Sequence, residues 1–434
     1  MVIRSIFALS LLSLCILASA SGAENIAIRA GNILTISGDS IENGVILVED
    51  GKIKAIGQDV NIPEDARVID ASGKFVMPGL IDACSRLYVI EGELNEGRTI
   101  APELDILDAV DPFIEEYQEV LAQGVTSVYI APGSRSLLGG RGAILKLKGG
   151  KTAAEMLLKG DVAVKVAIGV SSNNQSSSLT RLEHYASIRE AFIEAQAYMQ
   201  QKRKYEQELA EYEKKKKEEK EKKKDEEKKD EGKKEKPKRP TKPKSNPTYE
   251  ILAKVLGKEI PLQIEAHRVD DILNSLRLAD EFGIRLILDK CTEGYMAAHE
   301  IARRKVPVIV SPVSASFTDI PRLEYRNHNT QNAAVLSKEG VKVALGVSGR
   351  DGASSKFAAL VAAMAVANGM DRETALRAIT LTPAEVLGVA NRIGSLEVGK
   401  DADIVMLSHH PFDASAQVEM VLIEGKTVYG SELK

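Results

Sequence analysis

The chain has 434 residues, 44% of them hydrophobic, which is ample for a large core and a satellite domain. Aromatics make up only 4% and tryptophan is absent, so neither a base-stacking platform nor an aromatic carbohydrate cleft is indicated. The net charge of −4 is unevenly placed: residues 202–244 carry 20 basic and 13 acidic side chains, making that segment +7 and the remainder −11.

Residues 1–23 read as a secretory signal. Arg4 supplies the positive start and Ile6 to Leu17 a short apolar run. Ala18-Ser19-Ala20 or Ser21-Gly22-Ala23 supplies the small residues for cleavage. The run is too short for a membrane span. Leu14 ahead of Cys15 is not the small residue that a lipid anchor needs. The expectation is an exported protein, periplasmic or extracellular, with no transmembrane span. Two cysteines then remain, Cys84 and Cys291, too few for a disulfide scaffold.

Residues 24–76 alternate in short strands: Ile26–Arg29, Asn32–Ile36, Gly44–Glu49, Lys52–Ile56 and Arg67–Asp70, separated by Gly/Asp/Ser turns. A matching group comes late, at Ile404–Leu407, Val418–Ile423 and Lys426–Tyr429. One sandwich built from residues 24–76 plus 391–434 is expected, with two unrelated β caps as the alternative.

Between them, in residues 77–390, eight apolar and mostly β-branched runs recur. They are Phe75–Asp82, Thr126–Ile130, Ala143–Leu147, Val162–Ile168, Ile260–Ala266, Ile284–Leu288, Val306–Val310 and Val341–Val347. Most lead into helix-like stretches, such as Asp270–Phe282, Gly294–Arg304, Asn329–Lys338 and Ser355–Gly369. Eight alternations predict an α/β fold, a TIM-like (β/α)8 barrel of parallel strands. A doubly wound open sheet is the runner-up, but no Gly-rich dinucleotide loop follows the first run.

Residues 202–247 differ in kind. An amphipathic helix predicted over Ile188–Ala210 runs into Lys/Glu repeats with few apolar residues, and Pro237, Pro240, Pro243 and Pro247 then break any helix. Such a stretch cannot bury enough surface to offset its ordering entropy. It reads as a solvated, partly helical insertion, or else as a tether to anionic envelope polymer or lipid head groups. Its mixed charge argues against nucleic acid as a partner.

The segment Phe75-Val76-Met77-Pro78-Gly79-Leu80-Ile81-Asp82-Ala83-Cys84-Ser85-Arg86 resembles the opening signature of the amidohydrolase superfamily, Pro-Gly-Leu-Ile-Asp-x-His-x-His. Gly394-Ser395-Leu396 through Gly399-Lys400-Asp401-Ala402-Asp403 is similar to that family's late signature, Gly-x-Leu-x-x-Gly-Lys-x-Ala-Asp. Further agreement at Ile260-Pro261-Leu262, Asp270-Asp271-Ile272 and Thr292-Glu293-Gly294-Tyr295 points to imidazolonepropionase-like exported members. The resemblance implies one composite sandwich beside the barrel. It also implies hydrolysis of amide-like C–N bonds by a metal-activated water, with an Asp taking the proton.

At the positions that carry that chemistry the residues differ. Cys84 and Arg86 stand where the family has two histidines. Glu265, in Glu265-Ala266-His267, replaces the first His of a His-Ala-His. Lys290 replaces another His, and Ser348 stands where the resemblance implies the catalytic Asp. Arg86 and Lys290 put cations where zinc or another divalent metal would sit, beside Glu265 and Asp289, so no cofactor is expected. Arg86, Glu265, Lys290 and Ser348 are expected to converge at the strand ends, with Glu265 paired to Arg86 or Lys290. His267, Asp289, Cys291 and Lys165 are further pocket candidates, and the other histidines read as surface residues.

The reading is a binding or assembly component with a degenerate metal site. The alternatives are an active hydrolase with a remodelled metal site using Cys84, Cys291, Glu265 and His267, or one with a Cys84 nucleophile activated by His267. A small-molecule or peptide-like ligand, a homo-oligomer, and pairing with a catalytically complete paralogue all stay open as partners.

Overall fold

A computed structural model describes residues 25–90, 98–149, 152–169, 180–225, 238–311, 324–348 and 352–430. Residues 1–23, where a signal is expected, and residues 226–237 of the charged insertion lie outside these. No helix among the described residues is long and apolar enough to cross a membrane.

Seventeen strands are laid down in chain order among the described residues. The first four are β1 (Ile26–Ile33), β2 (Ile41–Glu49), β3 (Lys52–Gly57) and β4 (Arg67–Pro78). Then come β5 (Leu80–Ser85), β6 (Val125–Ile130), β7 (Leu138–Arg141), β8 (Ala143–Lys146), β9 (Leu157–Lys159) and β10 (Val164–Ala167). They are followed by β11 (Leu262–Ala266), β12 (Leu286–Lys290), β13 (Val308–Val310) and β14 (Val343–Leu345). The last three are β15 (Ile404–Leu407), β16 (Val418–Ile423) and β17 (Lys426–Tyr429).

Early and late strands share one seven-stranded sheet, in the order β17-β16-β15-β4-β1-β2-β3. The join is β4 with β15, antiparallel, with Pro78 opposite Ile404. Its core draws on strands of this sheet, with only Leu396 and Ala402 added from outside, so the sheet packs on itself.

The other strands form a six-stranded sheet, β14-β13-β12-β11-β10-β7, and a four-stranded one, β5-β6-β8-β9. From β10 to β14 every neighbour is parallel, as is β5 with β6. The buried runs read as continuous apolar segments because both faces of such strands are covered. The eightfold parallel expectation is corrected at two places. The run at Ala143–Leu147 is β8, antiparallel to both β6 and β9, and β7 is antiparallel to β10. The connection from β6 to β8 contains only the short β7, and no helical crossover to return the chain in parallel.

The run Phe75–Asp82 is also divided. Phe75–Pro78 belongs to β4 and the composite sheet, while Leu80 opens β5. The break is Gly79, where a Cβ would lie 2.1 Å from Thr126 Oγ1. The two smaller sheets are stitched together by a buried cluster that includes Ile81 and Ala83 of β5, Tyr129 of β6 and Ile144 of β8. Facing them are Ile287 of β12, Ile309 of β13 and Ala344 of β14. Ser348 N–H also donates to Cys84 C=O at 3.0 Å.

Candidate functional site

Polar side chains gather where β5, β10, β11, β12 and β14 end. On β11 the period of two puts Gln263, Glu265 and then His267 on one side, and on β12 Asp289 follows Ile287. Lys165 of β10 is buried between two carboxylates: its Nζ lies 3.0 Å from Glu265 and donates to Asp289. Gln263 Nε2 donates to Asp289 Oδ2 at 3.0 Å while Gln263 Oε1 accepts from Tyr129, and Ser134 Oγ donates to Glu265 at 2.6 Å. Burial alone would raise the Glu265 carboxyl, but Lys165, His267 and Lys290 together hold it well below the usual range. Burial likewise opposes the Lys165 charge, and Asp289 and Glu265 override it to keep the ammonium protonated.

A second lysine forms the other half. Lys290 Nζ donates to Cys84 Sγ at 3.1 Å and to Ser348 Oγ. Among the described residues no carboxylate stands within ion-pair distance of it. Burial works against its charge, yet the nearby carboxylates Asp289 and Glu265 hold it above the ordinary lysine range. Burial pushes the Cys84 thiol up despite the nearby lysine, so sulfur is kept as SH. Asp82 anchors the same corner, accepting from Cys84 N–H, Val347 N–H and Ser355 Oγ; burial raises its carboxyl.

The backbone is bent to bring these groups together. Lys290, Cys291 and Ser348 all have left-handed φ, at 64°, 45° and 56°. For side chains other than glycine this is uncommon and gathers at functional sites. A Cβ on Gly346 would lie 2.7 Å from the Cβ of Cys84, so this glycine lets the end of β14 close on β5.

Beside Lys290 opens a small pocket. Its wall includes His267, Thr292, Tyr325, His328, Asn329 and Ser348. His267 is 1% exposed; its Nδ1 pairs with Thr292 Oγ1 at 2.8 Å and the Tyr325 ring packs on it edge to face at 4.8 Å. Its Nε2 is buried without a hydrogen-bond partner, although Glu265 Oε1 stands 3.5 Å away.

The structure thus brings together Cys84, Lys165, Glu265, His267, Asp289, Lys290 and Ser348. Arg86 is the exception. Ser85 closes β5 with its hydroxyl bonded to Ser355 and accepting from Leu87 N–H, and that turn leaves Arg86 exposed. The expected pairing of Glu265 with Arg86 or Lys290 is replaced by Lys165. Cys291 also stands apart: its sulfur packs where a Cβ on Gly294 would lie, and burial raises its thiol. Both cysteines are free thiols. His184, read as a surface residue, is 1% exposed under the helix it opens. Asp82, Tyr129, Gln263 and Tyr325 were not singled out as site residues. The period of two from Glu265 would have found Gln263; no sequence signal points to Tyr325.

A divalent metal does not fit this donor set. Among the described residues no three His, Cys, Asp or Glu side chains are arranged to hold an ion. Two ammonium groups stand within bonding distance of the strand-end donors and would repel one.

An amidohydrolase-family sequence profile matches residues 167–428. The amidohydrolase tasK of Hapsidospora irregularis is 24% identical over 89% of this chain and 39% of its own length. A probable imidazolonepropionase of Xenopus tropicalis is 30% identical over 41% of each protein. The chain therefore spans about two fifths of the length of these relatives. The solved structure of an amidohydrolase from Thermotoga maritima superposes with a TM-score of 0.81 at 30% identity, over 94% of this chain and all of that one. The chain belongs to the amidohydrolase superfamily and is imidazolonepropionase-like.

Proposed function

We propose that this protein is an exported amidohydrolase-superfamily member that binds a ligand, or serves in an assembly, without metal-dependent hydrolysis. The observation that carries this is the placement of Lys165 and Lys290. Two lysines stand beside two carboxylates, Glu265 and Asp289, so opposite charges face one another in the cluster without a divalent ion. Adding one would put two further positive charges beside two ammonium groups in a poorly solvated corner. The protonated Cys84 thiol gives no support to a cysteine nucleophile, and Ser348 has no carboxylate to accept a proton.

The same reading takes the six- and four-stranded sheets as one distorted (β/α)8 barrel, with the self-packed composite sheet as its sandwich. The cluster shared by β5, β6, β8, β12, β13 and β14 supports closure, as does the backbone bond from Ser348 to Cys84. Metal analysis of the purified protein is the test. Less than one equivalent of zinc is expected, with no hydrolysis of imidazolone or dipeptide substrates. Joint replacement Cys84→His, Arg86→His, Glu265→His, Lys290→His and Ser348→Asp should restore metal binding. Stoichiometric zinc in the unsubstituted protein would sink this reading.

A further inference from the structure

The outer part of the helix Arg181–Asp225 forms a charged arm, yet one stripe of it is sheltered. From Arg203 to Glu219 every side chain is exposed except Tyr205, Leu209 and Tyr212, which are half-buried. Steps of four and three residues put them on one face of the helix. The chain comes back through residues 238–246 without helix or strand, and there only Pro240, Pro243 and Asn246 are half-buried. A step of three is the period of polyproline II, the conformation that a proline-rich segment prefers. Each segment thus shelters one face, at the period of its own geometry.

The inner end of the returning segment is fixed beside Tyr198. Asn246 caps the helix Pro247–Leu256 by accepting from Tyr249 N–H, and its own N–H reaches the Tyr198 hydroxyl. The Tyr198 and Tyr249 rings lie 5.8 Å apart. Glu250 accepts from Tyr198 and, at 2.9 Å, from Lys202; these two hold its carboxyl low, and Lys242 adds to the effect. The segment therefore leaves its anchor alongside the long helix. From Asn246, polyproline II at about 3.1 Å per residue carries Pro243 about 9 Å and Pro240 about 19 Å outward. At about 1.5 Å per residue, the helix covers those distances from Tyr198 in about six and twelve positions. The first level falls beside Tyr205 and the second between Leu209 and Tyr212.

We propose that residues 238–246 are a polyproline-II strap laid on the Tyr205–Leu209–Tyr212 stripe, with Pro240 and Pro243 packed on the helix, and that this strap braces the arm. Proline rings on an aromatic-lined face are a general mode of docking for such segments, and the fixed φ of proline lowers the entropy lost. The spacing of the stripe is also that of a seam for pairing with another helix. Under the strap that seam is closed, and the faces left to a partner are the charged ones.

Hydrogen exchange on the full chain, read as protection factors by mass spectrometry, is the test. In the unsubstituted protein the amides of residues 205–212 should be at least roughly tenfold better protected than those of residues 214–219, which lie beyond the reach of Pro240 on the same helix. Joint replacement Pro240→Ala and Pro243→Ala should erase that difference. Thr241→Ala with Ser245→Ala, on the exposed faces of the strap, should leave it in place. Strands β11 and β12 should exchange alike in all three proteins, which shows that the body is folded. Equal protection of the two stretches in the unsubstituted protein, a difference that survives the loss of both prolines, or the same loss from either pair would each overturn the proposal. The comparison within the unsubstituted protein decides it even if a variant fails to fold.

Discussion

Lys165 is the residue on which the buried charges depend. Its side chain is about 6% exposed and touches both Glu265 and Asp289, themselves at 4% and 0%. Lys165→Met would leave two carboxylates buried without their cation. A loss of about 3–5 kcal/mol is expected in urea unfolding, the usual result of breaking a buried pair from one side. The triple variant Lys165→Met, Glu265→Gln, Asp289→Asn should regain most of that, because no charge is then orphaned. A triple variant no more stable than the single one would show that Lys165 acts by packing alone. Much of this site was legible in the chain, since Glu265, His267, Lys290 and Ser348 each follow an apolar run and so fall at a strand end. What could not be read was direction. Arg86 follows a run just as they do, but the Ser85–Ser355 contact, made across 270 residues, turns it outward.

The long helix Arg181–Asp225 shows where an element's stability resides. Tyr185, Ile188, Ala191, Phe192, Ala195 and Tyr198 are buried at helical spacing, and past Tyr198 no described side chain of the helix is. Phe192 packs against Phe282 with the rings tilted, centroids 5.0 Å apart. Phe192→Ala should therefore cost about 3–5 kcal/mol, while Tyr212→Ala should stay within about 0.5 kcal/mol. Equal effects in chemical denaturation would contradict this division. Limited trypsin treatment should cut within Lys202–Lys244 and leave the rest whole. The sequence marks the apolar half by its 3.6-residue period, yet the helix runs beyond Ala210, because Lys and Glu are good helix formers even where they bury nothing. The strands were legible as runs, but not the antiparallel course of β8, which rests on a hydrogen-bonding partner rather than on composition.

At the scale of the whole molecule, one fully buried side chain helps tie the composite sheet to the rest. Lys146 of β8 is 1% exposed and reaches Asp401 at 2.8 Å, Asp403 at 2.9 Å and Glu424 at 3.2 Å. Asp401 and Asp403 are part of the late signature noted in the sequence; Lys146 lay in an unremarkable apolar run, so their meeting was not readable. Burial alone would raise Asp401, but Lys146, Lys52 and Arg392 lower it to about 2. In the unfolded chain it titrates near 3.9, so its contribution is fully present above about pH 5 and is lost as pH falls toward 2. Asp403 runs the other way: burial raises it in spite of Lys146, and its protonation partly offsets the loss. Lys146→Met should cost about 3–5 kcal/mol at pH 7, and less at pH 3, where orphaned carboxylates are neutralised by protons. An undiminished difference at pH 3 in urea titrations would argue against the tie being electrostatic. The order of the composite sheet also bears on how the chain comes into being. β1 to β4 are synthesised first, but the outer edge of β4 is matched only by β15, and Lys74 meets Glu419 across 345 residues. Until the ribosome has passed the entire middle of the chain, that edge stands open with its backbone groups unpaired, a ready template for a neighbouring nascent chain.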